Sequence, residues 1–385
     1  MKIAFIRFPQ ILYENGKATR GGSEIVNQII IDFLRKSAID IHEFSPKNQA
    51  KLNLFGQANG LSRMFDDLFA DLDKINSCDL VVTTNWFGWK MTGIIKPVVT
   101  IFHSNASAVL ESVEKAEESE SKLIKKWVRA AHRFGIALDE GQMLKERSIV
   151  KGEKQAAEKS TAIVAVSVFI KESIKKFYNI DNQKISIFPN PYPPAWEKIK
   201  VKKDFRELLN STIVTRLPSD YHSFICKGID RILEICQTIP NVTLVGATNL
   251  ARYEKFFESL NRPKALVINA DRDQLAKILE DSHITFHLSR CEGCQMALIE
   301  SMYFGVVPIS FNVGCVCELI EHGKNGFVVK DLTEARKFYN LLKSDRSLLE
   351  KMSMRARQTI KNRLSVEQIG KDYLGLFKML TREIV

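Results

Sequence analysis

The sequence predicts two doubly wound, Rossmann-like α/β domains facing a cleft. The chain has 385 residues, more than one ordinary domain needs. Short β-branched runs alternate with longer helical stretches, which is typical of parallel sheets covered by helices on both faces. Between the halves, Pro189–Pro194 contains four prolines and predicts a stiff, extended connector. The predicted division is 1–190, 191–364 and a C-terminal helix, 365–385, that packs back on the first domain.

Ten apolar runs are predicted to be strands, five in each half. Those of the first half are Lys2–Ile6, Leu80–Thr84, Val98–His103, Ala162–Ser167 and Ile185–Pro189. Those of the second half are Thr212–Arg216, Val242–Gly246, Ala265–Asn269, Ile284–Ser289 and Val306–Phe311. In sheets of this type, ligands bind outside the carboxyl ends of the strands.

Helices are predicted between these runs. Apolar residues recur at helical spacing over Ile25–Leu34, where Ser23 can cap the start, and again over Ile229–Cys236. Acidic Glu111–Glu120 is followed by basic, helical Lys122–Arg133. We interpret these two segments as a helical insertion of the first domain.

Composition indicates a globular protein, with 45% hydrophobic and 26% charged residues. No run approaches the roughly 18–20 apolar residues that span a bilayer. Met1–Arg7 is too short for a secretory signal and is predicted to be a buried strand. Seven scattered cysteines favour free thiols in a reducing cytosol, so the expected location is cytoplasmic. The net charge of +11 favours an anionic partner, although a lysine-rich solvated surface explains it equally well.

The most informative segment is Ser289–Met302. It places Glu292 in a glycine-containing loop after a strand, and Glu300 in a predicted helix, Gln295–Phe304. A helix N-terminus beside a glycine turn offers free amides and a positive dipole end to an anion. Glu300 can accept hydrogen bonds from a pair of sugar hydroxyls. A surface helix with incidental acidic residues is the alternative interpretation.

This segment resembles the Glu-Gly-x-x-x-x-x-x-Glu hallmark of the retaining glycosyltransferases of family 4, which have the GT-B fold. The sequence around it is similar to the family's motifs in Thr215–Leu217, Lys227–Asp230, Phe304–Ile309, Asn312–Ile320 and His322–Val329. In the first half, the similar segments are Gly21–Glu24, Val164–Ser167 and Ile185–Asn190. The resemblance therefore spans nearly the whole chain.

The resemblance implies a role for each matching residue. Residues 1–190 would form the acceptor side, and residues 191–364 would bind the nucleotide sugar. Arg216 and Lys227 would grip the diphosphate and stabilise the leaving group, while Glu300 holds the ribose hydroxyls. His103 would lie near the transferred sugar, although a structural histidine is an equally good interpretation. The implied catalytic residues are His103, Arg216, Lys227 and Glu292. The implied nucleotide-sugar-binding residues are Gly21, Gly22, Arg216, Lys227, Glu292, Gly293, Cys294, Gln295 and Glu300.

The resemblance also implies transfer without a protein nucleophile, a cofactor or a metal ion. Departures from the family pattern leave the donor open, because Cys294 and Gln295 replace an aromatic residue and a glycine. Pro218–Ile225 lengthens the spacing between the two cationic residues. A structural zinc site made of Cys291, Cys294, Cys315 and Cys317 is a rival interpretation, but Cys-x-Cys spacing fits zinc poorly.

The sequence therefore predicts a retaining glycosyltransferase of the hexosyltransferase type. It would transfer a sugar from a UDP, GDP or ADP donor to a glycan, glycolipid or other hydroxyl acceptor. For a basic chain, the resemblance also implies a lipid-linked acceptor and a peripheral location at the anionic inner membrane face. The alternatives are a nucleotide-sugar epimerase or hydrolase on the same fold, and a DNA-modifying glucosyltransferase or nucleic-acid-binding protein. Salt dependence of DNA binding separates the last group from the rest.

Overall fold

The computed structural model describes residues 1–7, 22–45, 70–85, 92–136, 142–206, 208–248 and 250–382, with the backbone alone for 142–148. The strands are β1 (Lys2–Ile6), β2 (Asp40–Phe44), β3 (Leu80–Thr84), β4 (Val98–Phe102), β5 (Ala162–Ala165), β6 (Ile185–Ile187), β7 (Ser211–Arg216), β8 (Val242–Ala247), β9 (Ala265–Ile268), β10 (Ile284–His287), β11 (Val307–Phe311) and β12 (Phe327–Val329).

Helices connect the strands throughout the described ranges. They are α1 (Gly22–Lys36), α2 (Leu72–Asn76), α3 (Ala106–Ser119), α4 (Ser121–Arg133), α5 (Gln142–Lys159), α6 (Val168–Tyr178), α7 (Tyr221–Cys226), α8 (Ile229–Thr238), α9 (Arg252–Ser259), α10 (Arg272–Asp281), α11 (Met296–Tyr303), α12 (Val316–Leu319), α13 (Leu332–Ser344), α14 (Arg346–Arg363) and α15 (Val366–Arg382). Within these ranges every helix is too short or too polar to cross a bilayer.

The strands form two six-stranded sheets whose neighbouring strands all pair in parallel. The strand order is β2-β1-β3-β4-β5-β6 in the first sheet and β12-β11-β10-β7-β8-β9 in the second. In the second sheet the order reverses between β7 and β10, which pair at Ile284 and Ser211. Such a reversal leaves a crevice beyond the carboxyl ends of the two strands, where ligands bind in open α/β sheets.

Two strands, β2 and β12, were not predicted. Both lie at a sheet edge. In β2 only Ile41 is buried, while Asp40, His42 and Glu43 are exposed, so it lacks the continuous apolar run of a central strand. β12 has only three residues. The ten predicted strands are all present, with small differences at their ends.

The chain divides into two units. Unit 1 comprises Met1–Leu110, Gly141–Pro194 and Leu364–Val385, and unit 2 comprises Glu111–Glu140 and Ala195–Arg363. The segment Glu111–Glu140 therefore groups with unit 2, whereas we interpreted it as an insertion of the first domain.

The apolar face of α4 explains this grouping. Ile124, Trp127 and Ala131 are buried, and α4 packs against α8 of unit 2. The Trp127 indole nitrogen donates to Glu234 Oε1 at 2.9 Å.

Helix α15 groups with unit 1 and packs against α1. The contact is close, because a Cβ atom on Gly370 would lie 2.3 Å from Cδ1 of Phe33. Helix α1 itself begins at Gly22, so Ser23 lies in its first turn and does not cap it; the Ser23 hydroxyl donates to Glu24 instead.

Candidate functional site

Three predicted residues lie near the carboxyl ends of β7 and β10 in unit 2. Arg216 is the last residue of β7 and is exposed. Lys227 directly follows α7 as its C-cap residue, and Glu292 lies in the loop that follows β10. The structure therefore places them at the point where the strand order reverses.

Lys227 and Glu292 form an ion pair. The Lys227 Nζ donates to Glu292 Oε1 at 2.7 Å, with the two side chains 29% and 17% exposed. Burial disfavours the charged lysine, but the adjoining Glu292 carboxylate outweighs it and raises the pKa of Lys227 above its ordinary value. Arg216 is close enough to oppose this shift through its own charge. The site thus contains an ionised Lys227, the Glu292 carboxylate and, close to them, the Arg216 guanidinium group.

Two glycines allow the loops of this site to approach one another. Gly228 has a φ of 63°, and a Cβ atom there would lie 2.2 Å from the carbonyl oxygen of Leu288. Gly314 has a φ of 60°, and its Cβ would lie 2.5 Å from the carbonyl oxygen of Gly293. Only glycine fits both the left-handed backbone and these backbone contacts.

Arg290, a buried residue that the sequence analysis did not identify as functional, connects the loop after β10 to the segment around Lys227. Arg290 donates to both carboxylate oxygens of Asp230, at 2.7 and 2.6 Å. Its Nη1 also donates to the carbonyl oxygen of Ile225 at 2.8 Å, and its backbone N–H donates to the carbonyl oxygen of Cys226 at 2.7 Å. Arg290 lies within the segment that we singled out, but its sequence position does not reveal its buried partner.

Gln295 directly precedes α11 and is 7% exposed. Neither its Oε1 nor its Nε2 has a hydrogen-bond partner among the described residues. Leaving a buried amide unpaired costs about 1–3 kcal/mol. An unpaired side chain in a predicted binding loop is therefore suited to a polar ligand group.

Glu300 lies in α11, as predicted, and is 5% exposed. Its Oε1 forms an ion pair with Arg272, the first residue of α10, which the sequence did not identify. Burial raises the pKa of Glu300 above its ordinary value, although Arg272 opposes the shift.

The cysteines do not gather around one point. Cys291 hydrogen-bonds with Cys226, Cys315 hydrogen-bonds with Cys294, and exposed Cys317 contacts Asn312. In the part of the chain that the structure describes, no group of three or more His, Cys, Asp or Glu side chains is placed to hold a metal ion. The proposed four-cysteine zinc site is therefore not formed.

His103 lies in unit 1, directly after β4. Its Nε2 contacts the Oδ1 of Asn27 in α1 at 3.0 Å, so Nε2 carries the proton and Nδ1 is an acceptor. Burial lowers the pKa of His103 to about 4, which makes the ring neutral at pH 7. Nδ1 is buried and has no partner among the described residues. Gly22 is the exposed first residue of α1, whereas Gly21 lies outside the described residues.

A polar network behind His103 was not apparent from the sequence. The backbone N–H of His103 donates to Asn85 Oδ1 at 3.1 Å, and Asn85 Nδ2 donates to Glu153 at 3.0 Å. Glu153 also accepts from the Tyr178 hydroxyl at 2.5 Å. Burial raises the pKa of Glu153 above its ordinary value. These residues come from four separate elements, and no motif spacing connects them.

Comparison with known proteins bears on this geometry. Residues 222–359 match the family model described as glycosyl transferases group 1, a range that contains Lys227, Glu292, Gln295 and Glu300. An uncharacterized glycosyltransferase of Haemophilus influenzae is 28% identical over 191 residues, which cover 46% of this chain and 51% of the relative. The chain spans about half or less of the length of the curated relatives that it matches.

Solved structures extend the likeness to the whole chain. Sucrose-phosphate synthase from Thermosynechococcus elongatus has a TM-score of 0.69 at 16% identity, covering 99% of both chains. Anabaena HepE, solved in complex with UDP-glucose, has a TM-score of 0.66 at 14% identity, covering 98% of this chain and 100% of that one. This likeness shows the fold alone, and it confirms the prediction of two Rossmann-like domains of the GT-B type.

Proposed function

We propose that the chain is a glycosyltransferase that moves a sugar from a nucleotide-diphosphate donor to a hydroxyl acceptor. The observation that carries the proposal is the Lys227–Glu292 ion pair at the strand-order reversal. Three residues after Glu292, the buried amide of Gln295 has no hydrogen-bond partner among the described residues. A diphosphate needs a cation, and a sugar needs hydrogen-bonding groups. The group 1 match over residues 222–359 contains all three residues and supports the proposal.

In the proposed reaction, the acceptor oxygen bonds to the anomeric carbon while the bond from that carbon to the diphosphate oxygen breaks. The electron pair of the broken bond stays on the diphosphate, and the acceptor proton passes to a phosphate oxygen. Lys227 and Arg216 would stabilise the charge that grows on this leaving group. Glu300 would accept hydrogen bonds from the ribose hydroxyls, while Arg272 favours its ionised form.

We further propose that the anomeric configuration is retained, as in the family 4 enzymes that the sequence resembles. Glu292 is a poor candidate for a protein nucleophile, because its carboxylate is engaged by Lys227. In unit 1, the neutral His103 offers Nδ1 as an acceptor for a sugar hydroxyl. That role stays a prediction, and a structural histidine is the alternative.

Metal independence is part of the proposal. The sequence contains two Asp-x-Asp segments, Asp71–Asp73 and Asp271–Asp273, and each begins at a helix start. The Asp271 carboxylate caps α10 by accepting a hydrogen bond from the backbone N–H of Gln274 at 2.8 Å, so it already has a structural role. Because Arg216 and Lys227 are assigned the charge of the leaving group, activity should survive excess EDTA. Complete loss that Mg²⁺ or Mn²⁺ restores would contradict the role given to the two cationic side chains.

A thermal-shift panel of UDP-, GDP- and ADP-sugars tests the function directly. A ligand that binds only the folded protein raises its stability by mass action, by about 2.7 kcal/mol at 100 times Kd. We expect one nucleotide family to stabilise the chain and its sugar to be released or transferred. Absence of stabilisation by every nucleotide sugar, together with no turnover, would refute the proposal.

The acceptor is proposed to be a glycan or a lipid-linked glycan, with the protein held peripherally on an anionic membrane face. The net charge of +11 supports this, as does the exposed stripe of Lys122, Lys125 and Arg129 on α4. Each such cation near an anionic surface contributes about 1 kcal/mol.

A further inference from the structure

One carboxylate connects the segment Glu111–Glu140 to the loops of the donor site. Glu120 lies between α3 and α4, and its Oε2 accepts from Arg290 Nη2 at 2.8 Å and from Arg231 Nε at 2.9 Å. Its Oε1 accepts from Arg290 Nε at 3.2 Å and also contacts Arg231 Nη2. Each of the two guanidinium groups therefore contacts both carboxylate oxygens of Glu120.

The two arginines reach the loops that carry the proposed donor-binding residues. The guanidinium group of Arg290 donates to the carbonyl oxygen of Ile225, two residues before Lys227. The backbone N–H of Arg290, two residues before Glu292, donates to the carbonyl oxygen of Cys226. Arg231 donates to the carbonyl oxygen of Leu288 at 3.3 Å, at the end of β10. The loop before α8 and the loop after β10 are thus joined through side chains that Glu120 holds.

The network balances two positive and two negative charges with little solvent. The side chains of Asp230, Arg290, Arg231 and Glu120 are 0%, 4%, 10% and 26% exposed. Although burial opposes ionisation, the two guanidinium groups lower the pKa of Glu120 to about 2. Without Glu120, Arg290 would keep its pair with Asp230, whereas Arg231 would lose the carboxylate that neutralises it and keep its bond to the carbonyl oxygen of Leu288. The least costly response is for Arg231 to move towards water.

We propose that Glu120 is a positioning residue of the donor site, which sets the spacing of Lys227 and Glu292 by holding Arg290 and Arg231. The inference rests on the proposed function. It assigns the segment Glu111–Glu140 a part in donor chemistry, although the group 1 match over residues 222–359 does not include it.

The test compares three variants, using donor hydrolysis with the nucleotide sugar that the thermal-shift panel selects. Glu120→Gln keeps the shape and removes the charge. Glu117→Gln removes a charge from the same segment, where Glu117 accepts from the Tyr221 hydroxyl at 2.7 Å and has no link to the arginines. Ile124→Ala weakens the packing of the segment without touching a charge, because Ile124 is 2% exposed in an apolar cluster with Val113, Ala116 and Ile225.

We expect Glu120→Gln to lower kcat by about tenfold or more, with a smaller change in the donor KM, at temperatures below the unfolding of every variant. The contact of Lys227 with the leaving group strengthens in the transition state, so mispositioning appears mainly in kcat. Both controls should keep kcat within about twofold of the wild type, even where Ile124→Ala lowers the melting temperature. If Glu120→Gln does not fold, Glu120→Asp retains the charge and should show the same drop in kcat.

Two results would overturn the inference while leaving the proposed function intact. One is a wild-type kcat in both Glu120 variants when Lys227→Ala is inactive. The other is an equal loss of kcat in Ile124→Ala, which would make the effect one of segment stability alone. A wild-type chain that neither binds nor turns over any nucleotide sugar would instead refute the proposed function, and the inference with it.

Discussion

At the scale of single residues, the site is a set of charges whose partners are fixed before any ligand binds. Lys227 is paired with Glu292, Glu300 is paired with Arg272, and Arg216 is exposed at a strand end. Lys227 and Glu300 therefore contribute to the stability of the fold as well as to the proposed chemistry. Arg216 contributes little to the stability of the ligand-free protein.

Arg216→Ala and Lys227→Ala should each reduce kcat/KM by on the order of 10²-fold, because both cations are assigned to the leaving group. Lys227→Ala should also cost about 1–2 kcal/mol of stability, since it leaves Glu292 without its partner. Steady-state kinetics and urea unfolding measure the two effects. If both cations act on one phosphate, the double variant should lose less than the product of the single losses. Wild-type turnover in either variant would show that the diphosphate is misplaced.

Glu300 predicts a pH dependence of donor binding. Its raised pKa means that the carboxyl group begins to take up a proton at a pH above the ordinary range for glutamate. The ionised form is the stronger acceptor for ribose hydroxyls, so donor affinity should fall as the pH is lowered from about 8 to about 5. Glu300→Gln should bind more weakly at pH 8 and lose part of this dependence. Calorimetric titration measures the donor affinity of both proteins at each pH. Because protonation of the nucleotide affects both proteins equally, the difference between their pH profiles reports on Glu300. Identical profiles would contradict its role.

At the scale of elements, α15 offers two glycines with opposite surroundings. A Cβ on Gly370 would lie 2.3 Å from the Phe33 ring of α1, while a Cβ on Gly375 would have no atom within 4 Å. Overpacking should make Gly370→Ala less stable by about 1–3 kcal/mol. Gly375→Ala should be more stable by about 0.5–1 kcal/mol, because alanine favours a helix interior. Chemical denaturation of the two variants checks the signs, and destabilisation by both would show that the α1–α15 contact is not the cause.

At the scale of the whole molecule, we expect the positively charged residues to strengthen binding to an anionic membrane only where they are clustered. Replacing Lys122, Lys125 and Arg129 on α4 with glutamine should weaken binding to phosphatidylserine vesicles by about 10²-fold, at about 1 kcal/mol per residue. The matched control replaces exposed Lys351, Arg355 and Lys361 on α14, which removes the same charge elsewhere. Equal weakening by both variants in a co-sedimentation assay would favour net charge over the α4 stripe, and no binding by the wild type would exclude the partner.

The sequence predicted the two sheets, ten of the twelve strands that the structure describes and the helix that carries Glu300, because these follow from local apolar periodicity. It did not predict β2, whose residues are mostly exposed, or β12, which has only three residues, because neither carries much of that pattern. It also could not reveal Arg272, Arg290, Glu153 or Glu120. Each of these acquires its partner through contacts between residues that are distant along the chain, and such pairings have no signature in spacing. The grouping of Glu111–Glu140 with unit 2 was missed for the same reason.

The interleaving of the two units also bears on how the chain acquires its structure during synthesis. Unit 1 is assembled from three stretches, and α15, which packs on α1, belongs to the last of them. All residues of unit 2 are therefore synthesised before α15 and leave the ribosome ahead of it, so unit 2 can begin to fold while unit 1 still lacks a partner for the buried face of α1. Until then Phe33 and its apolar neighbours are open to chaperones or to other nascent chains. Emergence of residues 364–382 from the ribosome is thus the step that ends this exposure.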